Sequence, residues 1–273
     1  MTIAISIKVN DGVVLATDSA STMMAQDMQG NIGVINIYDN ANKLLNIHKD
    51  LPVGIITWGA GSIGTASITT IIKNFREEIT KNNIEIDIDS YTVSEIAILF
   101  KNYILEIYNE EFKDWPQKPD VGFIIAGYSS NKIAEEQMIQ FVDGNVIGPN
   151  LLREEGLCGI TWQGQPEAIT RLVSGAHPFL EQIIGNSRLV SPENIIPLTQ
   201  TIYSNSRAEL VSPAMPIKDA IDLAEFLVEL TEKFVRFSPG AKTVGGPIEI
   251  ASITAHEGFK WIKRKHYYSK DIN

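Results

Sequence analysis

The segment from Ile3 to Thr17 constrains the fold more than any other part of the chain. Apolar side chains alternate with small or polar ones from Ile3 to Val9, which is the period of a strand with one buried face. Asn10-Asp11-Gly12 is a strong hairpin-turn signal. Val13–Thr17 then has the composition of a more fully buried return strand. The sequence therefore predicts an antiparallel hairpin at this end of the chain, not a βαβ unit.

Blocks of strands and blocks of helices follow the hairpin. Further strands are predicted over 43–47, 53–58, 120–128, 137–142, 145–147, 248–254 and 259–262, with a loop or loose strand pair over 23–42. Helices are predicted over 68–79, from the capping box Thr92-Val-Ser-Glu95 to Ile107, over 166–184 and over 217–236. Residues 185–216 carry four prolines and are predicted to hold long connections. This order favours layers of antiparallel sheet and helix over a parallel α/β fold.

The composition is that of a globular protein. A chain of 273 residues with 44% hydrophobic residues can bury a sizeable core without disulfides or metals. The single cysteine, Cys158, excludes an intrachain disulfide and a Cys/His zinc cluster. Since no repeat, low-complexity linker or domain boundary is visible, we predict one domain over 1–273.

The net charge of −10 limits the partners that the protein can have. A field of that sign repels phosphate backbones, so nucleic acid is not expected as a partner. The longest apolar stretch, Val53–Gly61, is far shorter than the ~20 residues that span a bilayer. With no basic, apolar leader at the N-terminus, we expect a cytoplasmic protein with no membrane partner. The basic C-terminal residues Lys260, Lys263, Arg264, Lys265 and Lys270 are expected to form a solvated tail.

Thr2 is the first candidate for chemistry. Because threonine is a small second residue, we expect Met1 to be removed, which leaves an α-amine and a β-hydroxyl on one residue. An α-amine with a reference pKa of ~7.7–8.0 can accept the hydroxyl proton near neutral pH. The predicted hairpin also brings Asp18 within a few residues of Thr2 across the strand ladder. A carboxylate there could orient a cationic group beside the N-terminal residue.

The pattern as a whole consists of Thr2, the run Asp-Gly-Val-Val-Leu-Ala-Thr-Asp-Ser at 11–19, Lys43 opening a strand, and Trp58-Gly59-Ala60-Gly61. It resembles the β-subunits of the proteasome and their bacterial relatives, which are N-terminal-nucleophile hydrolases. Mature chains of that family begin with threonine and continue into such a hairpin. The spacing from Thr2 to Asp18, 16 positions, matches without a gap. The segments 120–127, 143–144 and 245–246 support the resemblance, which covers most of the chain.

The resemblance implies a fold and a set of roles. The fold would be a four-layer αββα sandwich of two antiparallel sheets, an α+β protein, with insertions near 76–116 and 185–216. Thr2 would attack a peptide carbonyl, and Lys43 would hold a positive charge near its oxygen. Asp18 would pair with Lys43, and the Gly59 N–H would stabilise the oxyanion.

Substrate contacts are implied in the same way. Thr22, Gly59 and Gly61 would hydrogen-bond an extended substrate as an added strand. Thr57 would line the pocket for the residue that precedes the cut, and a small uncharged threonine there favours medium-sized apolar side chains.

The chain departs from the family at its supporting groups. Ala241 and Val244 stand where the family has an aspartate and a serine before Gly245-Gly246, with Thr243 one position away as a substitute. Gln163 stands where the family has another serine. These losses put turnover in question, so a scaffold or binding subunit of the same fold is the alternative to an enzyme.

A dinucleotide-binding enzyme is a third interpretation. Gly59-Ala60-Gly61-Ser62-Ile63-Gly64 is a formal G-x-G-x-x-G, with Glu85 and Asp87 about twenty residues further on. The alternating segment 84–89 and the opening hairpin speak against it. We therefore predict a threonine-type peptidase without a cofactor. It would act on peptides or unfolded proteins within a homo-oligomer, and the sequence leaves an unfoldase partner open.

Overall fold

The computed structural model describes residues 2–26 and 32–265. Its strands, in chain order, are β1 (Ile3–Val9), β2 (Gly12–Thr17), β3 (Ser21–Gln26), β4 (Ile32–Tyr38), β5 (Leu44–Asn46), β6 (Val53–Gly59), β7 (Ser62–Ile63), β8 (Ala66–Ser67), β9 (Val121–Tyr128), β10 (Ala134–Val142), β11 (Asn145–Leu151), β12 (Gly159–Gly164), β13 (Glu249–Thr254) and β14 (Gly258–Lys263). Its helices are α1 (Ile68–Thr80), α2 (Val93–Glu111), α3 (Glu167–Ser174), α4 (Leu180–Ser187), α5 (Pro192–Ser206) and α6 (Ile217–Phe237).

Ten of the strands form two five-stranded sheets. The order in the first sheet is β12-β1-β2-β13-β14, and in the second it is β11-β10-β9-β6-β5. All neighbouring strands in both sheets are antiparallel. Strands β3 and β4 pair separately beside the sheets. The long strands predicted from the sequence are thus confirmed, and within the segment 23–42 the described residues 23–26 and 32–38 form a strand pair.

The opening hairpin forms as its pattern predicts. Val9 pairs with Gly12 across a two-residue turn, and the register continues to Ala4 opposite Thr17. Both strands are buried along their whole length, because α6 covers one face and the second sheet covers the other. The hairpin is therefore a fixed central element of the first sheet, and it holds Thr2 and Asp18 at the same end.

Three apolar layers hold the four structural layers together. One lies between the sheets and contains Leu15, Ile56 and Ile124. A second packs α1 and α2 on the second sheet, around Phe75 and Phe100. The third packs α3 and α6 on the first sheet. The molecule is a helix–sheet–sheet–helix sandwich, so the predicted αββα class is confirmed.

Two helical segments differ from their predictions. The single helix predicted over 166–184 is wrong, because Gly175 ends α3 with φ 70° and a second helix starts at Leu180. The connection predicted over 185–216 contains the helix α5. Pro192 suits its first turn, whereas Pro197 lies inside it and disfavours a helix from sequence alone. Packing of α5 against α3 and α4 outweighs that local preference.

Strand β12 was missed by the sequence patterns. It is short, contains polar residues and lies half-buried at the edge of the first sheet beside β1. No helix in the described part of the chain is long and apolar enough to cross a bilayer.

Candidate active site

A cavity of about 400 Å³ lies at the end of the opening hairpin, between the start of β1 and the N-terminal half of α1. Its lining contains six of the seven site residues predicted from the sequence, which are Thr2, Thr22, Lys43, Thr57, Gly59 and Gly61. The seventh, Asp18, is completely buried behind Lys43. The fold thus brings together all the residues that the sequence selected.

Asp18 organises the floor of the cavity. Its Oδ1 accepts from Lys43 Nζ at 2.7 Å and from the backbone N–H of Ile3 at 3.0 Å. Its Oδ2 accepts from the N–H groups of Ala20 and Gly245 at 3.0 and 3.1 Å. A buried carboxylate is stable only with such partners. One side chain therefore fixes Lys43, the residue next to Thr2, and two loops.

Lys43 is a buried cation at the cavity wall. It immediately precedes β5, and it is 6% exposed. Burial lowers the pKa of its ammonium group, while the Asp18 carboxylate acts in the opposite direction. Asp18 is its one hydrogen-bond partner among the described residues. An ammonium group has three donors, so the remaining two can serve a bound reactant.

The backbone of Thr2 is held from the other side by the end of β12. The Gln165 N–H donates to the Thr2 carbonyl at 2.7 Å. Gly164 has φ +95°, and a Cβ there would lie 2.0 Å from the Thr2 carbonyl oxygen, so only glycine fits. Gln163, which stands where the family has a supporting serine, contacts Met138 Sδ through its side-chain amide at 3.6 Å. The backbone of Thr2 is held by the two residues that follow Gln163, namely Gly164 and Gln165.

Gly59 ends β6 at a close approach of two strands. It has φ +88°, and a Cβ there would lie 2.4 Å from the carbonyl oxygen of Asp120. The next residue, Ala60, donates its N–H to that same oxygen at 2.8 Å. A side chain at position 59 is therefore excluded, and the backbone at the cavity rim stays accessible to a ligand.

Thr57 lies deeper in the same wall. It is 4% exposed, and its hydroxyl donates to the Gly122 carbonyl at 3.0 Å. With its polar atom bound in this way, Thr57 gives the cavity a small wall without charge.

A second ion pair lies beneath the first one. Lys265 Nζ is 3.1 Å from Glu249 Oε2, and both side chains are almost fully buried. Lys265 Nζ also donates to Ser19 Oγ at 2.6 Å and to the Ala41 carbonyl at 2.5 Å. Burial lowers the pKa of Lys265, and Glu249 opposes this effect.

The solvated tail predicted for the basic C-terminal residues is therefore wrong at Lys265. A buried carboxylate, Glu249 at the start of β13, draws this lysine inward, and Lys263 pairs with Glu225 on α6. Lys270 lies outside the described residues. The sequence pattern gave no sign of this, because only the folded sheet brings Lys265 under Ser19.

Glu232 on α6 is a further group that sequence reasoning missed. Burial, together with the negative charge of Asp18, raises its pKa to about 7. Its Oε1 is buried and has no hydrogen-bond partner among the described residues. The helical pattern of α6 concealed it, because a glutamate beside the apolar stripe looks like an ordinary surface residue.

The positions of the missing family groups are structurally clear. Ala241 is exposed and Val244 belongs to the core around α6. Thr243 is buried, and its hydroxyl has no hydrogen-bond partner within residues 2–26 and 32–265. What this loop does supply is the Gly245 N–H, which donates to Asp18.

The dinucleotide interpretation of Gly59–Gly64 is wrong. It requires a parallel βαβ unit, but β6 is antiparallel to both β5 and β9. The helix α1 starts at Ile68, after the small strands β7 and β8. A Cβ at Gly64 would meet the Glu111 carboxylate, which would also repel a pyrophosphate.

These features define a class of fold. Two antiparallel sheets lie between helical layers, and Thr2, which immediately precedes a central strand, lines a cavity. This arrangement is that of the N-terminal-nucleophile hydrolase fold. A scan against known protein families finds no match, and a search of curated proteins finds none either.

Solved structures of proteasome-related subunits are similar across the whole chain. Anbu (ancestral beta-subunit) from Yersinia bercovieri aligns with TM-score 0.52 and 13% identity, covering 97% of this chain and 88% of that one. The Anbu complex from Pseudomonas aeruginosa, described as a helical assembly, gives 0.56 and 13%, covering 99% and 90%. A Gly-1 mutant of Anbu from Hyphomicrobium sp. strain MC1 gives 0.51 and 16%, covering 99% and 88%. Identities this low establish the shared fold and nothing finer.

Proposed function

We propose that the protein is a threonine-type peptidase that uses Thr2 as its nucleophile after removal of Met1. The observation that carries this proposal is the Asp18 carboxylate, which binds Lys43 Nζ and the Ile3 N–H at the same oxygen. A buried lysine and the residue following Thr2 are thereby fixed relative to each other at one cavity.

The chemistry follows from these groups. The Thr2 hydroxyl adds to a peptide carbonyl and passes its proton to the Thr2 α-amine. Lys43 lowers the cost of negative charge on the attacking oxygen, and the Gly59 N–H serves the oxyanion. Collapse of the intermediate breaks the C–N bond, and the leaving amine takes the proton from the α-amine. Water then hydrolyses the threonine ester, so that Thr2 is regenerated.

The residues that line the cavity support the proposal of a polypeptide substrate bound in extended form. Thr22 on β3 and Gly61 after β6 both line the cavity, where an added strand could pair with both. The small wall at Thr57 favours a medium-sized apolar residue before the cut. We expect Leu there to be preferred to Arg and Glu in cleavage of fluorogenic peptides.

Assembly into a homo-oligomer is part of the proposal. The Pseudomonas aeruginosa Anbu complex is described as a helical assembly, and the present chain shares its fold. Cleavage should then fall on dilution as light scattering shows dissociation, since a neighbouring copy would complete the substrate pocket. Full activity in a proven monomer would contradict this part.

Covalent labelling tests the mechanism directly. A peptide epoxyketone reacts with a hydroxyl and an α-amine on the same residue, so one adduct should form on the Met1-free chain and map to Thr2. Thr2→Ala should form none, and Thr201→Ala is the matched control, because it removes an exposed threonine on α5 that does not line the cavity. Retention of Met1 in the intact mass, or absence of an adduct on the Met1-free chain with several peptide sequences, would reject the peptidase.

A scaffold subunit without turnover is the second candidate. The observation in its favour is that no side-chain hydroxyl or carboxylate from residues 241–244 hydrogen-bonds within the described part of the chain. The same labelling experiment separates the two candidates, because a scaffold assembles but forms no adduct.

A further inference from the structure

A second cavity, of about 340 Å³, adjoins the one that contains Thr2. Asn42 and Lys73 line both cavities, so the two share a wall. The second cavity lies between the strand β5, the helix α1 and the residues after β14. Five cationic side chains line it, and we call these residues the cationic groove: Lys49, Lys73, Arg76, Arg264 and Lys265.

Most of this positive charge is not neutralised. Glu249 is the one carboxylate in the lining, and it pairs with Lys265. Within residues 2–26 and 32–265, none of Lys49, Lys73, Arg76 and Arg264 forms an ion pair with Asp or Glu. Four cations of the lining thus have no ion-pair partner in the described part of the chain, in a protein of net charge −10.

Neutral groups hold the two guanidinium groups in place. Arg76 Nη1 donates to the carbonyl and the side-chain oxygen of Asn46, at 3.4 and 3.2 Å. Arg264 lies over the Trp261 ring, with Cζ 5.1 Å from the ring centroid. Neither contact removes charge, and each leaves donors of the planar group unused. Burial, and after it the positive charge of Arg264, lower the pKa of Arg76.

Such an arrangement is stabilised by an anion. Guanidinium groups bind carboxylates through paired N–H donors, and a groove walled by protein concentrates the positive potential. The positive lining also ends close by. Beyond Lys73 and Arg76, the next hollow brings in Asp50 and Glu77, so the groove has room for a short anionic segment only.

We infer that the cationic groove binds acidic side chains of the polypeptide whose scissile bond lies at Thr2. This inference rests on the proposed function and names its substrate class, which is polypeptides with acidic residues near the cleaved bond. The acidic residues lie beyond the residue before the cut, since the wall at Thr57 carries no charge. The overall negative field of the protein opposes a long polyanion such as nucleic acid, whereas one or two carboxylates experience mainly the local charges.

Binding can be measured apart from cleavage. The full-length Thr2→Ala chain is titrated with two fluorescent peptides that differ only in carrying two Glu or two Gln beside an apolar residue. We expect the Glu peptide to bind about five- to tenfold more tightly, and the difference to shrink at high salt. Replacing Arg76 and Arg264 with Gln should lower the affinity for the Glu peptide to that for the Gln peptide. Lys49→Gln with Lys73→Gln, at exposed positions, should act in the same direction and does not threaten folding.

A charge-matched control is available. Lys113→Gln with Lys218→Gln removes two exposed cations that line neither cavity, so it should keep the preference for Glu. Equal affinity for the two peptides, or equal loss in the control, would overturn the inference. So would tighter binding of a short oligonucleotide, or dissociation of the assembly in the groove variants, which would assign the groove to nucleic acid or to a contact between copies.

The outcomes separate this inference from the proposed function. If the wild-type chain forms no Thr2 adduct but the Glu preference depends on the groove, the groove binds acidic segments and the peptidase is rejected. If peptides are cleaved but Glu and Gln bind alike, the peptidase stands and the groove is rejected.

Discussion

Two buried ion pairs link the sheets of this protein, and they differ in how many of their donors are used. At the cavity, Asp18, which follows β2 of the first sheet, binds Lys43, which precedes β5 of the second sheet. At another point, Glu136 on β10 binds Arg153 at 2.5 Å and accepts from Ser6 Oγ on β1 at 2.6 Å. Arg153 reaches back to the first sheet through Thr161 Oγ1 at 2.7 Å. The first pair spans the two sheets directly, whereas the second joins them through the hydrogen bonds with Ser6 and Thr161.

The difference lies in the cation. One terminal nitrogen of Arg153 donates to Glu136 and the other donates to Thr161, so Arg153 is a structural cross-link. Lys43 makes one hydrogen bond among the described residues and lines the cavity beside Thr2. Its carboxylate partner is saturated by three backbone N–H groups besides the lysine. A buried ion pair is therefore available for chemistry when its carboxylate is held by the backbone and its cation retains unused donors.

The largest expected effect comes from removing the available cation. Lys43→Met should reduce epoxyketone labelling of Thr2 by at least about 1000-fold, because the charge near the attacking oxygen is lost. The chain should stay folded, since Asp18 keeps its three backbone donors. Lys43→Arg should fail as well, because a planar fork does not replace a compact ammonium group. Full labelling of Thr2 in the Lys43→Arg chain would show that the exact position of the positive charge is not critical.

The structural pair should show the opposite behaviour. Arg153→Met leaves the Glu136 carboxylate buried with Ser6 as its remaining partner and should cost about 3–5 kcal/mol in the free energy of unfolding. Denaturant unfolding measures this cost, and labelling of Thr2 below the transition should proceed at the wild-type rate. A stable Arg153→Met chain with slow labelling would remove the distinction between the two pairs.

Glu232 tests whether negative charge near Asp18 is costly. A pKa raised from 4.5 to about 7 means that the folded state binds this proton more tightly than the unfolded state does. Its contribution to stability is therefore full below about pH 4.5 and is lost as the pH rises through 7. Glu232→Gln should match the wild type near pH 4 and exceed it by about 1–2 kcal/mol near pH 8.5, after a discount for partial solvent exposure.

The pH series has a simple control. Glu181→Gln changes an exposed carboxylate on α4 and should leave the pH profile of the unfolding free energy unchanged. If Glu232→Gln shows the same pH profile as the wild type, the pKa of Glu232 is not raised in the folded state.

The smallest expected effect is at Thr57. Thr57→Val removes the hydrogen bond to the Gly122 carbonyl and should cost about 1 kcal/mol in the free energy of unfolding. The wall keeps its size and lack of charge, so the preference for Leu over Glu before the cut should persist in peptide cleavage. A switch to Glu would place that residue in the cationic groove and contradict the division between the two cavities.

The sequence predicted those parts of the fold whose signals are local. The hairpin turn at Asn10-Asp11-Gly12 and the alternation in β1 depend on neighbours in sequence, as does the capping box of α2. The errors have a common cause as well. In β12 and α5, tertiary contacts outweigh weak or contrary local preferences, since β12 pairs with β1 and α5 packs on α3 and α4.

For the site, the sequence by itself determined the hairpin that sets Asp18 beside Ile3, and with it the end of the sheet at which Thr2 lies. The resemblance added Lys43 and Gly59 through motifs within the first 61 residues. Only the tertiary structure decided which distant residues support them. Gly164 approaches the Thr2 carbonyl, and Lys265 lies under Ser19. The cationic groove likewise combines Arg76 with Arg264, which are far apart in the chain. The periodicity of the sequence does not predict such contacts, because they depend on how the two sheets and their helices pack. Taken alone in the sequence, each of these residues resembles an ordinary turn or surface residue.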